Sequence, residues 1–261
     1  MYDLPELQQA TDALWAAIAE KLQHYNIPAP KSLARGQNLE KIWTDPDLLL
    51  AQTCGYPLVT SLAGKVQLLA TPCYDATGCE GPLYRSAIIV HRDDPANTLS
   101  TQRGKICAIN AWDSNSGMNL LRAEIAPLAH TSEKFFARVL VTGSHASSVE
   151  AVADGHADLA AIDCITWSHL QDKRPTATRE TRLLGWTQSS AGLPFITSLH
   201  TDAPTRQALL QTLNEIIKDA ALARIRTTLC LERFLELPLT AYESILDLQR
   251  SAIAAGYPLL R

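Results

Sequence analysis

The 261-residue chain has no run of about twenty apolar residues, so no segment reads as a membrane-spanning helix. It also lacks an excess of positive charge. Its 23 Lys and Arg stand against 27 Asp and Glu, for a net charge of −4. The basic residues are scattered, and Lys173-Arg174 and the Arg224/Arg226 pair read as solvated helix or loop surface. Without a basic field, nucleic acid is not an expected partner. Paired cysteines are missing too: the six, at 54, 73, 79, 107, 164 and 230, show no C-x-x-C spacing and no nearby histidine ladder. That argues against zinc, and neither a metal nor a cofactor is expected. The phosphate-loop, nucleophile-elbow, H-E-x-x-H and dinucleotide glycine motifs are all absent. The residues from Met1 to Glu6 hold no basic region and no apolar stretch, so no signal peptide is visible.

What remains is a globular composition, 46% apolar and 19% charged, with enough residues for one large domain or two lobes. Leu7, Leu14, Trp15, Ile18 and Leu22 make one apolar face from about Pro5 to His24, which predicts a helix that the 26–30 segment breaks. Strands are predicted over 66–70, 85–91, 106–110, 137–141, 159–162, 182–184 and 195–198. Helical runs lie between them, and three more are expected near 204–217, 220–230 and 241–253. Alternation at these lengths predicts an α/β fold with largely parallel sheets.

Two strand-loop-helix units share one pattern. Ile106 to Gly117 and Val139 to Glu150 each end a strand in a serine-rich loop that starts a helix. A helix start with hydroxyls attracts an anion, and ligands gather at the carboxyl ends of parallel strands. Two such loops facing one point would hold one compact anion. In the second, Ser147 and Glu150 have the capping-box spacing. Ser114, Asn115 and Ser116 serve either as an anion cradle or as an ordinary helix cap. His145 is either a ligand donor or a surface histidine. Asp163 ends an apolar strand, where it accepts from a ligand amine or caps the next helix. Tyr56 and Tyr84 line a cleft or pack between lobes, and packing is the favoured role for Trp112. Ser144, His145 and Asp163 are not read as a catalytic triad, because adjacent Ser144 and His145 need not face each other and no oxyanion loop is evident. No catalytic residue is assigned. Cys107 and Cys164 read as small buried hydrophobes, whereas Cys73 and Cys79 flank a turn and either stay unbridged, the favoured reading, or bridge if the compartment is oxidising.

Tyr84 to Val90, Asp113 to Gly117, the His145 loop through Gly155, and Asp158 to Asp163 together resemble the phosphonate-binding periplasmic proteins of phosphate/phosphonate-type ABC importers. The resemblance is strongest over about 52–198. It implies the two-lobe type II periplasmic-binding fold with hinge strands and C-terminal helices, lobe I being 1–85 and 191–261 and lobe II 86–190. It also implies a non-enzymatic solute-binding protein that closes on a small anionic or zwitterionic ligand, acts as a monomer, and delivers to an ABC permease. Ser114, Asn115, Ser116 and then His145 match positions that hold phosphonate oxygens, Asp163 an acid that takes an amino group, Tyr84 an aromatic of the hinge region and Tyr56 one of lobe I. Asn115 stands where the family has a threonine. The family is periplasmic or membrane-associated. The lack of a visible signal suggests a truncated start or a cytoplasmic member, with Tyr2 and Asp3 at the cleft mouth. The alternatives are a cytoplasmic enzyme on the same architecture, as in menaquinone biosynthesis, and a ligand-sensing domain.

Overall fold

The computed structural model describes residues 2–129 and 134–261. Its strands are β1 (Ala51–Gln52), β2 (Val66–Tyr74), β3 (Leu83–Tyr84), β4 (Ser86–His91), β5 (Ile106–Ile109), β6 (Arg138–Val141), β7 (Leu159–Asp163), β8 (Thr181–Trp186), β9 (Ser190–Ala191), β10 (Phe195–Ser198) and β11 (Leu231–Leu235). The α-helices are α1 (Gln8–Gln23), α2 (Leu39–Trp43), α3 (Gly55–Val59), α4 (Leu120–Ile125), α5 (His145–Ala153), α6 (Cys164–Lys173), α7 (Pro175–Arg179), α8 (Ala203–Lys218), α9 (Ala223–Thr228) and α10 (Thr240–Ala254). The chain divides into two compact units. Unit 1 is Met1–Asp75, Glu80–Pro82 and Gly192–Ala241, and unit 2 is Ala76–Cys79, Leu83–Ala191 and Tyr242–Arg261.

Unit 1 is built on a four-stranded sheet in the order β1-β10-β2-β11, every neighbour antiparallel. The apolar face expected of the first helix is there: Leu7, Trp15, Ile18 and Leu22 pack with Leu69 of β2 and with Leu209, Leu213 and Ile216 of α8. Asp202 caps α8 by accepting the Thr205 amide at 2.8 Å, and Pro204 fits the first turn that follows. Asp3 takes the Arg35 guanidinium at 2.6 Å, and the Tyr2 ring meets Tyr74 edge-on at 5.1 Å.

Unit 2 carries a five-stranded sheet in the order β6-β5-β7-β4-β8. Only β5 with β6 and β5 with β7 are parallel; β4 runs antiparallel to both β7 and β8. The expectation of largely parallel sheets is therefore corrected to a mixed sheet here and an antiparallel one in unit 1. A central strand buried on both faces reads as the same apolar run in either direction, so Ala87 to Val90, fully buried, carries no mark of its orientation. The separation of the C-terminal residues differs as well. Residues 191–261 are expected in one lobe, but Tyr242–Arg261 belongs to unit 2. Tyr242, Ile245, Ala252, Tyr257 and Leu260 are buried there. The Ile245 carbonyl accepts from Asn119 Nδ2 at 3.2 Å, Pro258 O from Arg122 at 2.9 Å, and Arg261 O from the Phe135 amide at 2.7 Å.

Candidate ligand-binding site

Because β5, β6 and β7 run parallel, their carboxyl ends share one edge of the unit 2 sheet, and each runs into a helix there. All three helices start on an oxygen-bearing cap. Ser114 Oγ accepts the Gly117 amide at 3.0 Å, Ser144 Oγ accepts the Ser147 amide at 3.0 Å, and Asp163 Oδ1 accepts the amides of Ile165 and Thr166 at 2.9 and 3.0 Å. The antiparallel β4 begins on the same edge, with Ser86 opposite Asp163. The first helix opens on one wide turn over Asn115–Asn119, in which the Asn119 amide reaches back to Ser114 O at 3.0 Å, and continues as α4.

This arrangement brings the two serine-rich loops together. Ser116 Oγ and His145 Nε2 lie 2.9 Å apart, and Ser114 Oγ is 3.4 Å from Ser116 Oγ. Ser86 Oγ donates to the Ser116 carbonyl at 3.0 Å and ties the loop to β4. Gly117 is required by crowding: a β-carbon there would stand 1.9 Å from Asn110 Oδ1 and 3.3 Å from His145 Cε1. Burial pushes the His145 pKa down to about 4, and the neighbouring Ala161 carbonyl offsets only part of that. The ring is neutral at pH 7. A neutral imidazole keeps one N–H and one lone pair, so it meets the Ser116 hydroxyl or a ligand oxygen by hydrogen bonding rather than as a cation. Among the described residues the buried Nδ1 has no partner at hydrogen-bond geometry.

Asn115 is fully buried, and its side chain faces the protein. Its Nδ2 donates to Tyr84 Oη and to Ser190 Oγ, both at 3.0 Å, and its Oδ1 accepts from Asn119 Nδ2 at 3.0 Å. Tyr84 and Ser190 are paired across β3 and β9, so the amide locks the helix start onto that ribbon. Ser114, Asn115, Ser116, His145 and Tyr84 thus form one connected network, and Asp163 shares its sheet edge. Tyr56 is buried in α3 of unit 1.

Two details differ from expectation, and others were not foreseen. The cap of α5 is Ser144 rather than Ser147; Ser147 lies inside the helix, while Glu150 pairs with Arg174 at 3.0 Å. Trp112 is 49% exposed and fills no core. Cys79 has its sulfur 3.5 Å from Cys164, a neighbour the sequence does not indicate. Ser86, Asn119 and Ser190 are network residues that sequence reasoning missed. Asn110, which follows β5 and crowds Gly117, lies within an already recognised loop. Among the described residues no group of three or more His, Cys, Asp and Glu is placed to hold a metal, and no helix is long and apolar enough to cross a membrane.

Oxygen-capped helix starts gathered on one sheet edge suit a solute-binding protein, and the two-lobe periplasmic binding proteins are the class whose fold this chain shares. The profile of the family described as "ABC transporter, phosphonate, periplasmic substrate-binding protein" matches residues 45–239, and the chain belongs to that family. Among solved structures, XAC2383 from Xanthomonas citri bound to chloride ion is similar at 16% identity and a TM-score of 0.74, covering 98% of this chain and 95% of that one. A binding protein component of an ABC phosphonate transporter from Pseudomonas aeruginosa is similar at 16% identity and 0.75, covering 95% and 83%. PhnD1 from Prochlorococcus marinus in complex with methylphosphonate is similar at 15% identity and 0.73, covering 94% and 93%. At these identities the likeness is one of fold. No curated protein matches the chain. The role that follows from the family is solute binding for transport, in a family of periplasmic proteins.

Proposed function

We propose that the chain binds a small phosphonate- or phosphate-like anion at the carboxyl edge of the unit 2 sheet and hands it, as a monomer and without chemical change, to an ABC permease at the membrane. The observation that carries this reading is the Ser116–His145 hydrogen bond, 2.9 Å long, which joins two serine-capped helix starts at one point. Helix N-termini and hydroxyls supply donors to an anion, and a neutral His145 adds one more without needing a counter-charge. In this reading Ser114, Ser116 and His145 contact the ligand. Asn115 and Tyr84 act one step back, since the Asn115 amide is spent on Tyr84, Ser190 and Asn119. Asp163 holds α6 and receives the amino group of a zwitterionic ligand. Tyr56 is offered as a further aromatic ligand contact. The family's membership supports the transport role, and the methylphosphonate complex of PhnD1 suggests the first ligand to try.

Titration calorimetry with methylphosphonate, aminoethylphosphonate and inorganic phosphate tests the site. Ser116→Ala and His145→Ala should each weaken binding by about tenfold or more, the loss expected for a charge-assisted hydrogen bond. Asp163→Asn, which keeps an oxygen for the cap, should weaken only the aminophosphonate. Affinities unchanged in Ser116→Ala and His145→Ala, with folded protein by circular dichroism, would place the ligand elsewhere. Recovery of a chemically altered ligand would point to an enzyme instead.

A further inference from the structure

Unit 2 holds a pair of cysteines that solute binding does not use. Cys79 Sγ and Cys164 Sγ are 3.5 Å apart, from residues 85 positions distant in sequence. A disulfide needs about 2.05 Å between sulfurs, so closing the gap asks for a shift of about 1.5 Å shared between two side chains. The approach is built into the chain. Gly78 adopts φ +101°, and a β-carbon on it would stand 2.9 Å from Cys164 Cβ and 2.8 Å from the Trp186 ring. Any other residue at 78 would push the loop, and Cys79 with it, off the sheet. The Cys79 amide closes a turn onto Ala76 O at 2.9 Å, and the Cys164 amide is held by Arg85 O at 3.1 Å. The two thiols differ in access: Cys164 is fully buried at the start of α6, whereas Cys79 is partly exposed.

We propose that Cys79 and Cys164 are an oxidisable pair that closes to a disulfide, with a low-molecular-weight disulfide such as glutathione disulfide as oxidant. Cys79, the reachable thiol, attacks one glutathione sulfur as its thiolate and releases one glutathione as its thiol. Cys164 then attacks the Cys79 sulfur of that mixed disulfide and releases the second. Two protein thiols are oxidised, one glutathione disulfide is reduced to two glutathiones, and the two protons pass to the departing thiolates. Contact with Cys79, burial and the adjacent Asp163 carboxylate all hold the Cys164 thiol above its ordinary pKa, so its attack as a thiolate is the slower, resolving step and quickens as pH rises. The product would staple the 76–79 loop to the β7–α6 junction, next to the Asp163 cap.

The test uses the full chain, reduced and then incubated with glutathione disulfide without denaturant. Thiol titration should fall by two, and peptide mapping under non-reducing conditions should find the Cys79 and Cys164 peptides joined. Cys79→Ser should keep its full thiol count. Cys164→Ala should instead accumulate glutathione on Cys79, a readout available from an exposed position even if the buried change softens the fold. An unchanged titre in the folded wild type, a linkage between other cysteines, or stable glutathione on Cys79 beside an unreacted Cys164 would each overturn the proposal.

Discussion

At the scale of single residues, His145 is the most telling side chain. It lies at the first turn of α5, where a positive charge would oppose the helix dipole, and burial independently disfavours its cation. Its folded pKa of about 4 lies below the ordinary 6.5 of an unfolded histidine. Between those values the unfolded chain binds a proton that the folded chain refuses. Stability contributed by the neutral ring is therefore complete above about pH 6.5 and is lost as pH falls towards 4. Urea unfolding of wild type and His145→Asn at pH 7 and pH 5 should show the wild type losing more stability on acidification than the variant. An imidazole NMR titration with its midpoint near 6.5 would contradict the buried, neutral ring. Asn115 teaches a different lesson. In sequence it reads as a ligand position beside two serines, whereas its amide is taken up by Tyr84, Ser190 and Asn119. Nothing local distinguishes an amide that faces a ligand from one that braces a loop.

At the scale of elements, the recurring device is a strand ending in an oxygen that caps the following helix. It appears at Ser114, Ser144 and Asp163. The start of α5 shows how closely it can be read. Ser144, Ser147 and Ser148 are all eligible caps by type, and the Ser147/Glu150 spacing favours a start three residues late. The extended backbone of Ser144, with φ −151° and ψ 157°, and its bond to the Ser147 amide settle the matter. Thermal unfolding should register the difference. Ser144→Ala is expected to cost about 1 kcal/mol through loss of the cap. Ser147→Ala, inside the helix, should cost clearly less, and equal losses would mean the cap is shared. The missed strands were short or broken by polar residues. β3 and β9 have two residues each, and β11, Leu231–Leu235, is interrupted by the exposed pair Glu232 and Arg233 between two helices. Such segments become strands only because a neighbouring edge offers hydrogen bonds.

At the scale of the whole molecule, the chain leaves unit 1 at Ala241 and ends in unit 2, which the helical periodicity of 241–253 does not foretell. An amphipathic helix specifies that an apolar face must be covered, not which surface covers it. Here the cover comes with specific polar closure, through Asn119 to Ile245 O and Arg122 to Pro258 O. Ending the chain at Ala241 should therefore open unit 2. Limited proteolysis of the truncated protein is expected to cut within residues 83–191 well before residues 1–75, and equal protection of the two stretches would refute it.

The sequence by itself determined the fold class, the apolar faces of α1 and α8, most of the long strands, and the two serine-rich helix starts, because these rest on local periodicity and on side chains that bond within three or four residues. Its ordered motifs also carried the family. Strand direction, the destination of the last helix, the meeting of Ser116 with His145 and the approach of Cys79 to Cys164 were decided by the tertiary structure alone. Each joins residues dozens of positions apart, and only the packing of the sheet sets those distances.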